Sequence, residues 1–181
     1  MDLTEKTLSS QTVFDGRILK ITVDDVELPN GQKSKREVVG HPGGVCIAPL
    51  DDENNLYFVK QYRYPYHEVV LELPAGKLEK GQTPLENGKR ELKEEVGAEG
   101  YSFISLGQLY PSPGYTAEII RLYACKIKSI GEQQLDEGEF LNVEKIHIDK
   151  AVEMVLNNQL PDSKTQTAVL KLSLLLKSGK I

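Results

Sequence analysis

Three glutamates, Glu91, Glu94 and Glu95, have the residue type and spacing best suited to chemistry in this sequence. At i, i+3 and i+4, their carboxylates fall on one patch of a helix, where they repel one another. A cation would neutralise that repulsion, and oxygen ligands favour Mg²⁺ or Mn²⁺ over softer metals. The alternative is a solvated acidic helix face whose glutamates pair with nearby Lys and Arg, which is the commoner meaning of such a pattern taken alone.

The helix that carries these glutamates has a clear predicted start and end. Thr83 suits the N-cap, Pro84 suits the first helical position, and Glu86 completes a capping box. Gly97 can adopt the left-handed conformation that closes the last turn. An apolar stripe runs between these ends, and a glycine turn at Gly76 precedes them. This fixed setting favours a metal site over a solvated face.

The stretch from Gly76 to Ala98 resembles the Nudix box. That pattern begins with Gly, five residues, Glu and seven residues. It ends with Arg-Glu, an aliphatic, any residue, Glu-Glu, any residue, Gly and an aliphatic or small residue. One position departs, because Gln82 stands where the pattern has its first Glu. If that position only supports the helix, activity survives; if it holds a metal, turnover falls or the metal requirement rises. The three helix glutamates are intact, so we expect an active enzyme. The matching residues are Gly76, Arg90, Glu91, Leu92, Glu94, Glu95, Gly97 and Ala98.

The resemblance covers nearly the whole chain and is to the bacterial ADP-ribose pyrophosphatase branch of the Nudix family. Pro113, which follows the box, is a marker for ADP-ribose hydrolysis in that family. The resemblance implies an α+β fold, the Nudix α/β/α sandwich with a mixed sheet, and a homodimer with a swapped N-terminal hairpin. It also implies Mg²⁺-dependent hydrolysis of ADP-ribose, and of other ADP-sugars, to AMP and ribose 5-phosphate, with Mn²⁺ as a substitute. The segments that carry it are VFDGRILKITVDDVELPNG, REVVGHPGGV, KQYRYP, ELPAGKLEKG, SPGYTAE and LDEGEF.

The same resemblance implies roles for residues in and after the box. Arg90 would pair with a box carboxylate and orient it. A water nucleophile needs a base, which the family takes from a glutamate in a late loop. Here that loop holds Glu137 and Glu139, and Glu137 is favoured, although an exposed acidic loop is an open alternative for either. Glu94 is a candidate for catalysis as well as for metal binding. The implied metal ligands are the Ala75 carbonyl and the carboxylates of Glu91, Glu94 and Glu95.

Five further residues are candidates for substrate binding. Arg36 and Arg63 can each grip a phosphate or stack on adenine. Glu118 can accept ribose hydroxyl groups, and Gly114 lies in the preceding SPG loop. Glu72 should face the box, because its leucine neighbours point to the opposite face of a strand. For each charged residue, a surface ion pair remains the alternative.

Two other functions stay open from the sequence. The chain can be a Nudix enzyme that acts on another nucleoside diphosphate derivative, which a substrate panel would separate. It can also be a module that binds ADP-ribose without cutting it. The intact glutamate cluster argues against that module, and the absence of a basic patch argues against a DNA-binding regulator.

Composition indicates an ordinary globular protein. The 181 residues carry 22 Lys and Arg against 27 Asp and Glu, a net charge of −5 that argues against nucleic acid as a partner. The polar N-terminus and the lack of a long apolar run predict no signal peptide and no membrane partner. Cys46 and Cys125 sit in apolar strands without CxxC spacing. They predict buried free thiols in a cytoplasmic protein, with a disulfide as the lesser alternative.

The elements that position these residues are predicted as two parts. Residues 1–41 form an antiparallel β-hairpin region for dimerisation or swapping, and residues 42–181 form the Nudix hydrolase domain. Within the first part, residues 1–11 are expected to be a frayed arm, and two strands flank a turn at 29–31. In the second, six strands surround the box helix, and two helices follow, one beginning after Ile148 and one from Asp162 that is capped by Asp162 or Ser163. The six strand segments are VCIAPL, NLYFVKQYRY, VVLELPAG, SFISLGQLY, EIIRLYACKI and FLNVEKIHI.

Overall fold

The structure, a computed structural model, describes residues 1–180. The chain forms two compact units. The first comprises residues 1–43 together with 110–119, and the second comprises residues 44–109 together with the chain from Ile120 onward. Among residues 1–180, no helix has the length and apolar character that crossing a membrane requires.

The N-terminal unit is built on a three-stranded antiparallel sheet in the order β1-β2-β3. The predicted hairpin is confirmed by β2 and β3, which flank a turn closed by a hydrogen bond from Gly31 N–H to the Leu28 carbonyl. The strands are β1 (Lys6–Asp15), β2 (Lys20–Glu27) and β3 (Lys33–Gly40).

The prediction of a frayed arm at residues 1–11 is wrong, because β1 begins at Lys6 and pairs with β2. All ten residues of β1 are exposed, so the strand lacks the apolar alternation by which sequence reasoning detects strands. Cross-strand hydrogen bonds hold it instead. Ser9 and Ser10 donate their hydroxyl hydrogens to Asp25 and Asp24, at 3.0 and 2.5 Å.

The loop at residues 110–119 adds to the same unit, which the sequence did not indicate. Val39 donates its N–H to the Tyr115 carbonyl at 2.7 Å, and its own carbonyl accepts the Ala117 N–H at 2.9 Å. These bonds join two segments that are far apart in the chain. The proposed domain boundary between residues 41 and 42 stays a prediction.

The second unit contains a seven-stranded mixed sheet. The main path runs β10-β5-β4-β9-β8, while β6 pairs with β5 and β7 pairs with β4. The pair β4 and β9 is parallel, and the other pairs are antiparallel. All six predicted strand segments are present, but VVLELPAG divides into two strands. The strands are β4 (Gly44–Leu50), β5 (Asn55–Arg63), β6 (Glu68–Glu72), β7 (Ala75–Lys77), β8 (Ala98–Leu109), β9 (Ile120–Ile130) and β10 (Leu141–His147).

Three helices cover the two faces of this sheet: α1 (Pro84–Val96), α2 (Ile148–Leu156) and α3 (Ser163–Lys177). Alternate residues of β4 enter two separate core clusters. Val45 and Ile47 pack with α1, whereas Cys46 and Ala48 pack with α2 and α3. The predicted three-layer α/β/α sandwich with a mixed sheet is therefore confirmed. Both cysteines, Cys46 and Cys125, are buried and free, as predicted.

The centre of this sheet is split. Strands β4 and β5 pair directly only at Leu50 and Leu56, and farther along β7 lines β4 while β6 lines β5. The link from β6 to β7 crosses between them, and its Pro74 carbonyl accepts a hydrogen bond from Ile47 N–H at 2.9 Å. The backbone that precedes α1 is therefore fixed in the middle of the sheet rather than at its edge.

Candidate functional site

Helix α1 is held at both ends by the caps that the sequence predicts. The Thr83 hydroxyl accepts from the Glu86 N–H at 3.3 Å, and the Glu86 carboxylate accepts from the Thr83 N–H at 2.7 Å. At the other end, Gly97 has φ of +72° and donates its N–H to the Lys93 carbonyl at 2.9 Å. Leu92 and Val96 are buried against the sheet. The rotation of α1 about its own axis is thus fixed, and with it the direction of its glutamates.

Glu91 lies directly against the backbone of Gly76. A Cβ atom at residue 76 would be 1.9 Å from Oε1 of Glu91, so this approach requires glycine. The Glu91 side chain is only 12% exposed. Burial raises the pKa of Glu91, and the neighbouring Arg90 guanidinium partly opposes that rise.

Glu95 is more deeply buried, with 3% of the residue exposed. Its Oε2 accepts the Ala75 N–H at 3.0 Å, which ties the carboxylate to the first residue of β7. Burial raises the pKa of Glu95 to about 8, and the charges of Glu91, Glu139 and Glu72 add to the rise. The carboxylate is therefore poised to gain a proton or a cation.

Arg90 connects two of the box glutamates. Its guanidinium donates to Glu91 at 2.6 Å and also pairs with Glu94. It reaches Glu79 at 3.3 Å, a residue that the sequence reasoning did not single out. Gln82 is exposed and donates to that same Glu79 at 2.9 Å. In this arrangement Gln82 acts on Arg90 through Glu79.

Arg63 is half-buried and forms an ion pair with the buried Glu72. Nε and a terminal nitrogen of Arg63 donate to the two oxygens of Glu72, at 2.6 and 2.8 Å. The second Glu72 oxygen also accepts a hydrogen bond from Lys164. The sequence does not predict this contact, because Lys164 is 92 residues away from Glu72 in the chain. Burial opposes the charge of Arg63, but Glu72 outweighs it and the pKa of Arg63 is raised.

The late loop places its two glutamates differently. Glu137 is exposed, whereas Glu139 is half-buried and follows Gly138, whose φ is +86°. The charge of Glu139 raises the pKa of both Glu91 and Glu95. Glu139 therefore lies within electrostatic reach of the α1 carboxylates. Part of the same loop is tied down by Gln133, whose side chain donates to the Glu95 carbonyl at 2.5 Å.

Three candidates for substrate binding lie in the N-terminal unit. Arg36 donates two hydrogen bonds to Glu5, at 2.9 and 2.6 Å. An oxygen of Glu118 lies 3.3 Å from Nδ1 of His41, and Glu118 lines a shallow pocket of that unit with Pro113. A Cβ at Gly114 would meet open space. The structure thus groups Glu91, Glu94, Glu95, Arg90, Ala75, Arg63, Glu72 and Glu139 in one unit, and Arg36, Gly114 and Glu118 in the other.

The carboxylates of Glu91, Glu94 and Glu95 are the candidates for holding a divalent metal. Within residues 1–180, no three His, Cys, Asp or Glu side chains are already arranged around one metal position. Arg90 holds Glu91 and Glu94 instead. The donor set still fits Mg²⁺ or Mn²⁺, because its ligands are oxygens and because Glu91 and Glu95 are desolvated carboxylates of raised pKa. A cation would relieve the cost of burying both charges.

Comparison with known proteins places this arrangement in a family. Residues 5–39 match the nucleoside diphosphate sugar hydrolase N-terminal domain, and residues 40–167 match the NUDIX domain. A methanol dehydrogenase activator of Bacillus methanolicus is 45% identical over 172 residues, which cover 94% of this chain and 93% of that protein. The ADP-ribose pyrophosphatase of Bacillus subtilis is 39% identical over 174 residues, with coverage of 95% and 94%.

A solved structure agrees at the level of the fold. The crystal structure of an ADP compounds hydrolase superposes with a TM-score of 0.84 and covers 100% of both chains, at 21% sequence identity. The family model spans most of the chain, including the capped helix that carries Glu91, Glu94 and the buried Glu95. On these grounds the chain belongs to the Nudix family of hydrolases.

Proposed function

We propose that this protein hydrolyses the pyrophosphate bond of ADP-ribose to give AMP and ribose 5-phosphate, with Mg²⁺ as its metal and Mn²⁺ as a substitute. The observation that carries the proposal is the pair Glu91 and Glu95, one helical turn apart. Glu95 is buried, Glu91 is half-buried, and both carboxylates lie against the backbone of residues 75–76. Similarity over 95% of the chain to a protein named as an ADP-ribose pyrophosphatase supports the choice of substrate.

The metal would be held by Glu91, Glu94, Glu95 and the Ala75 carbonyl. When bound, divalent ions lower the pKa of a coordinated water and neutralise the charge of both phosphates. The chain's own contribution is to orient the ligands. Arg90 holds Glu91 and Glu94, and the Ala75 N–H holds Glu95. Because phosphoryl transfer depends mostly on positioning and charge, such orientation is the main task left to the protein.

We propose Glu139 rather than Glu137 as the general base. The sequence favoured Glu137 without a structural reason. The electrostatic effect of Glu139 on Glu91 and Glu95 supports the exchange, since a base must lie near the water that the metal ligands position. In this role a carboxylate oxygen of Glu139 accepts the proton of the attacking water.

The remaining site residues are proposed as substrate contacts. Arg63 keeps its side chain 37% exposed while Glu72 holds it from behind, which suits a guanidinium that binds an anionic group. Arg36, Gly114 and Glu118 are proposed contacts on the N-terminal unit. There, Arg36 forms an ion pair with Glu5, and Glu118 lies against His41. These neighbours restrict the positions of the Arg36 and Glu118 side chains.

We also propose that the protein is a cytoplasmic homodimer. The two free, buried thiols support a reducing compartment. The outer strand β1 supports dimerisation, because it exposes Leu8, Val13 and Phe14 along an unpaired edge of a three-stranded sheet. Light scattering on the full chain should give twice the mass of one chain; the mass of a monomer at micromolar concentration would contradict the dimer.

The decisive experiment measures AMP release from ADP-ribose with Mg²⁺, comparing the parent protein with Glu95→Gln. We expect turnover in the parent and a loss of about 100-fold or more in the variant, because a buried ligand loses its charge. A parent that binds ADP-ribose tightly but releases no AMP would contradict the enzyme and favour the binding module.

A second candidate is hydrolysis of another nucleoside diphosphate sugar. It is favoured by the match of residues 5–39 to a domain described for nucleoside diphosphate sugar hydrolases in general. A panel of nucleoside diphosphate sugars, compared by kcat/KM, decides between the two. A preference of about 10-fold or more for ADP-ribose supports the first proposal.

A further inference from the structure

Lys164 is a buried lysine outside the box. It lies in the first turn of α3, and its side chain is 10% exposed. Its ammonium pairs with Glu72 and, at 3.0 Å, with Asp162, the N-cap of the helix. Burial opposes its charge, but Asp162 and Glu72 outweigh that effect and raise the pKa of Lys164. It therefore stays charged in the core.

Glu72 stands between two cations. Arg63 donates to both of its oxygens, and Lys164 donates to one of them. The four groups Arg63, Glu72, Lys164 and Asp162 alternate in sign and sum to zero charge. Removing Lys164 alone would leave an excess negative charge beside Arg63. Glu72 would then be neutralised only by Arg63, and less of the guanidinium charge would remain for an anion.

The same turn of α3 also fixes the backbone that leads to the box. The hydroxyl of Thr165 accepts the Leu73 N–H at 2.8 Å in the buried interior. Two residues later, the Ala75 N–H donates to Glu95. The first turn of α3 thus holds both the side chain of Glu72 and the chain that carries Ala75, from the opposite face of the sheet to α1.

We propose that Lys164 is a positioning residue for pyrophosphate binding. It neutralises Glu72 from behind, so that Arg63 is held in place by Glu72 and yet keeps enough positive charge to attract the diphosphate. This inference rests on the proposed function for the role of Arg63. Lys164 itself does not contact substrate.

The test compares Lys164→Met with the parent and with the double variant Glu72→Gln/Lys164→Met. We expect KM for ADP-ribose to rise about 10-fold in the single variant while kcat stays within about three-fold. Because Glu72→Gln removes the carboxylate that holds Arg63, the double variant is compared with Glu72→Gln alone. Adding Lys164→Met in that background should raise KM by less than about three-fold, since Lys164 acts through Glu72. Lys150→Met is the matched control, because it removes an exposed lysine of α2 that pairs only at the surface with Glu153.

Binding of inorganic pyrophosphate with Mg²⁺, measured by calorimetry, separates this inference from the choice of substrate. A parent that binds pyrophosphate but does not cleave ADP-ribose contradicts the proposed substrate only, and weaker binding by Lys164→Met still supports the inference. If Lys164→Met does not fold, Lys164→Gln keeps a donor to Glu72 without the charge and is measured in its place. Unchanged pyrophosphate affinity in the folded variant overturns the inference. So does a loss of affinity from Lys164→Met that is as large in the Glu72→Gln background as in the parent. A lower Tm with unchanged KM also overturns it, because that outcome shows a purely structural role.

Discussion

At the scale of single residues, Glu91 and Glu95 share a helix face but have different environments. Glu91 is bound by Arg90 and abuts Gly76, whereas Glu95 is bound by the Ala75 N–H. Their spacing in the sequence predicts the shared face. It does not predict the depth of burial, because burial depends on the split sheet beneath the helix. The raised pKa of Glu95 follows from that burial.

Gly76→Ala tests the close approach of Glu91. A Cβ at this position would fall 1.9 Å from Oε1 and 2.0 Å from Cδ of Glu91, so the carboxylate must move. We expect kcat to fall about 10- to 100-fold, since small displacements of positioned groups are costly in catalysis. The unfolding temperature should change little, because the flexible end of a side chain absorbs the shift. Gly131→Ala is the control, since its Cβ would meet its nearest neighbour at an ordinary 3.8 Å.

Gln82→Glu restores the residue that the box pattern has at this position. Gln82 is exposed and contacts Glu79. We therefore expect kcat, and the Mg²⁺ concentration for half-maximal activity, to stay within about three-fold of the parent. A gain of about 10-fold or more in apparent metal affinity would show instead that position 82 acts on the metal.

At the scale of elements, the sequence predicts those whose signals are local. The capping box, Pro84 and Gly97 define α1, and apolar runs, continuous in β4 and partly alternating in β9, define strands of the second unit. Strand β1 escapes prediction because all its residues are exposed. The contact of Lys164 with Glu72 escapes it as well, because nothing local in the sequence links residues 92 positions apart.

The late loop supplies the clearest prediction at this scale. Glu139→Gln should lower kcat by about 100- to 1000-fold, because the proposed base would lose its ability to accept a proton. Glu137→Gln, two residues away and exposed, should stay within about three-fold of the parent. The two variants remove the same charge from the same loop, so each controls for the other. The reverse ranking would return the role of base to Glu137.

At the scale of the whole molecule, the sequence predicts a two-part chain, but it does not predict which segments make up each part. Residues 110–119 join the N-terminal unit through backbone bonds to Val39, and backbone bonds have no side-chain signature. The α/β/α architecture follows from the order of strands and helices. The splitting of the central strands does not follow from that order, since it depends on how Pro74 and its neighbours pack in the tertiary structure.

The stability of the metal-free protein should depend on pH through Glu95. Its folded pKa of about 8 exceeds the ordinary value of 4.5, so the folded state holds a proton that the unfolded state releases. This contribution is fully present below the ordinary pKa and is lost as pH rises to about 8. Thermal unfolding in EDTA at pH 6 and pH 9 measures it. The fall in Tm between these pH values should be smaller in Glu95→Gln than in the parent. In the parent it should also become smaller when Mg²⁺ is added. An identical fall in parent and variant would contradict the assignment to Glu95.

The anchoring of the box segment by α3 also bears on how the protein is made. Residues 63–95 contain most of the proposed metal site, yet Lys164 and Thr165 are needed to satisfy Glu72 and the Leu73 N–H. Because the chain is synthesised from its N-terminus, these two partners emerge from the ribosome after the whole of residues 63–95. We therefore expect the nascent chain to form its sheet and α1 before the site is complete. Catalytic competence should appear only once α3 has left the ribosome and docked.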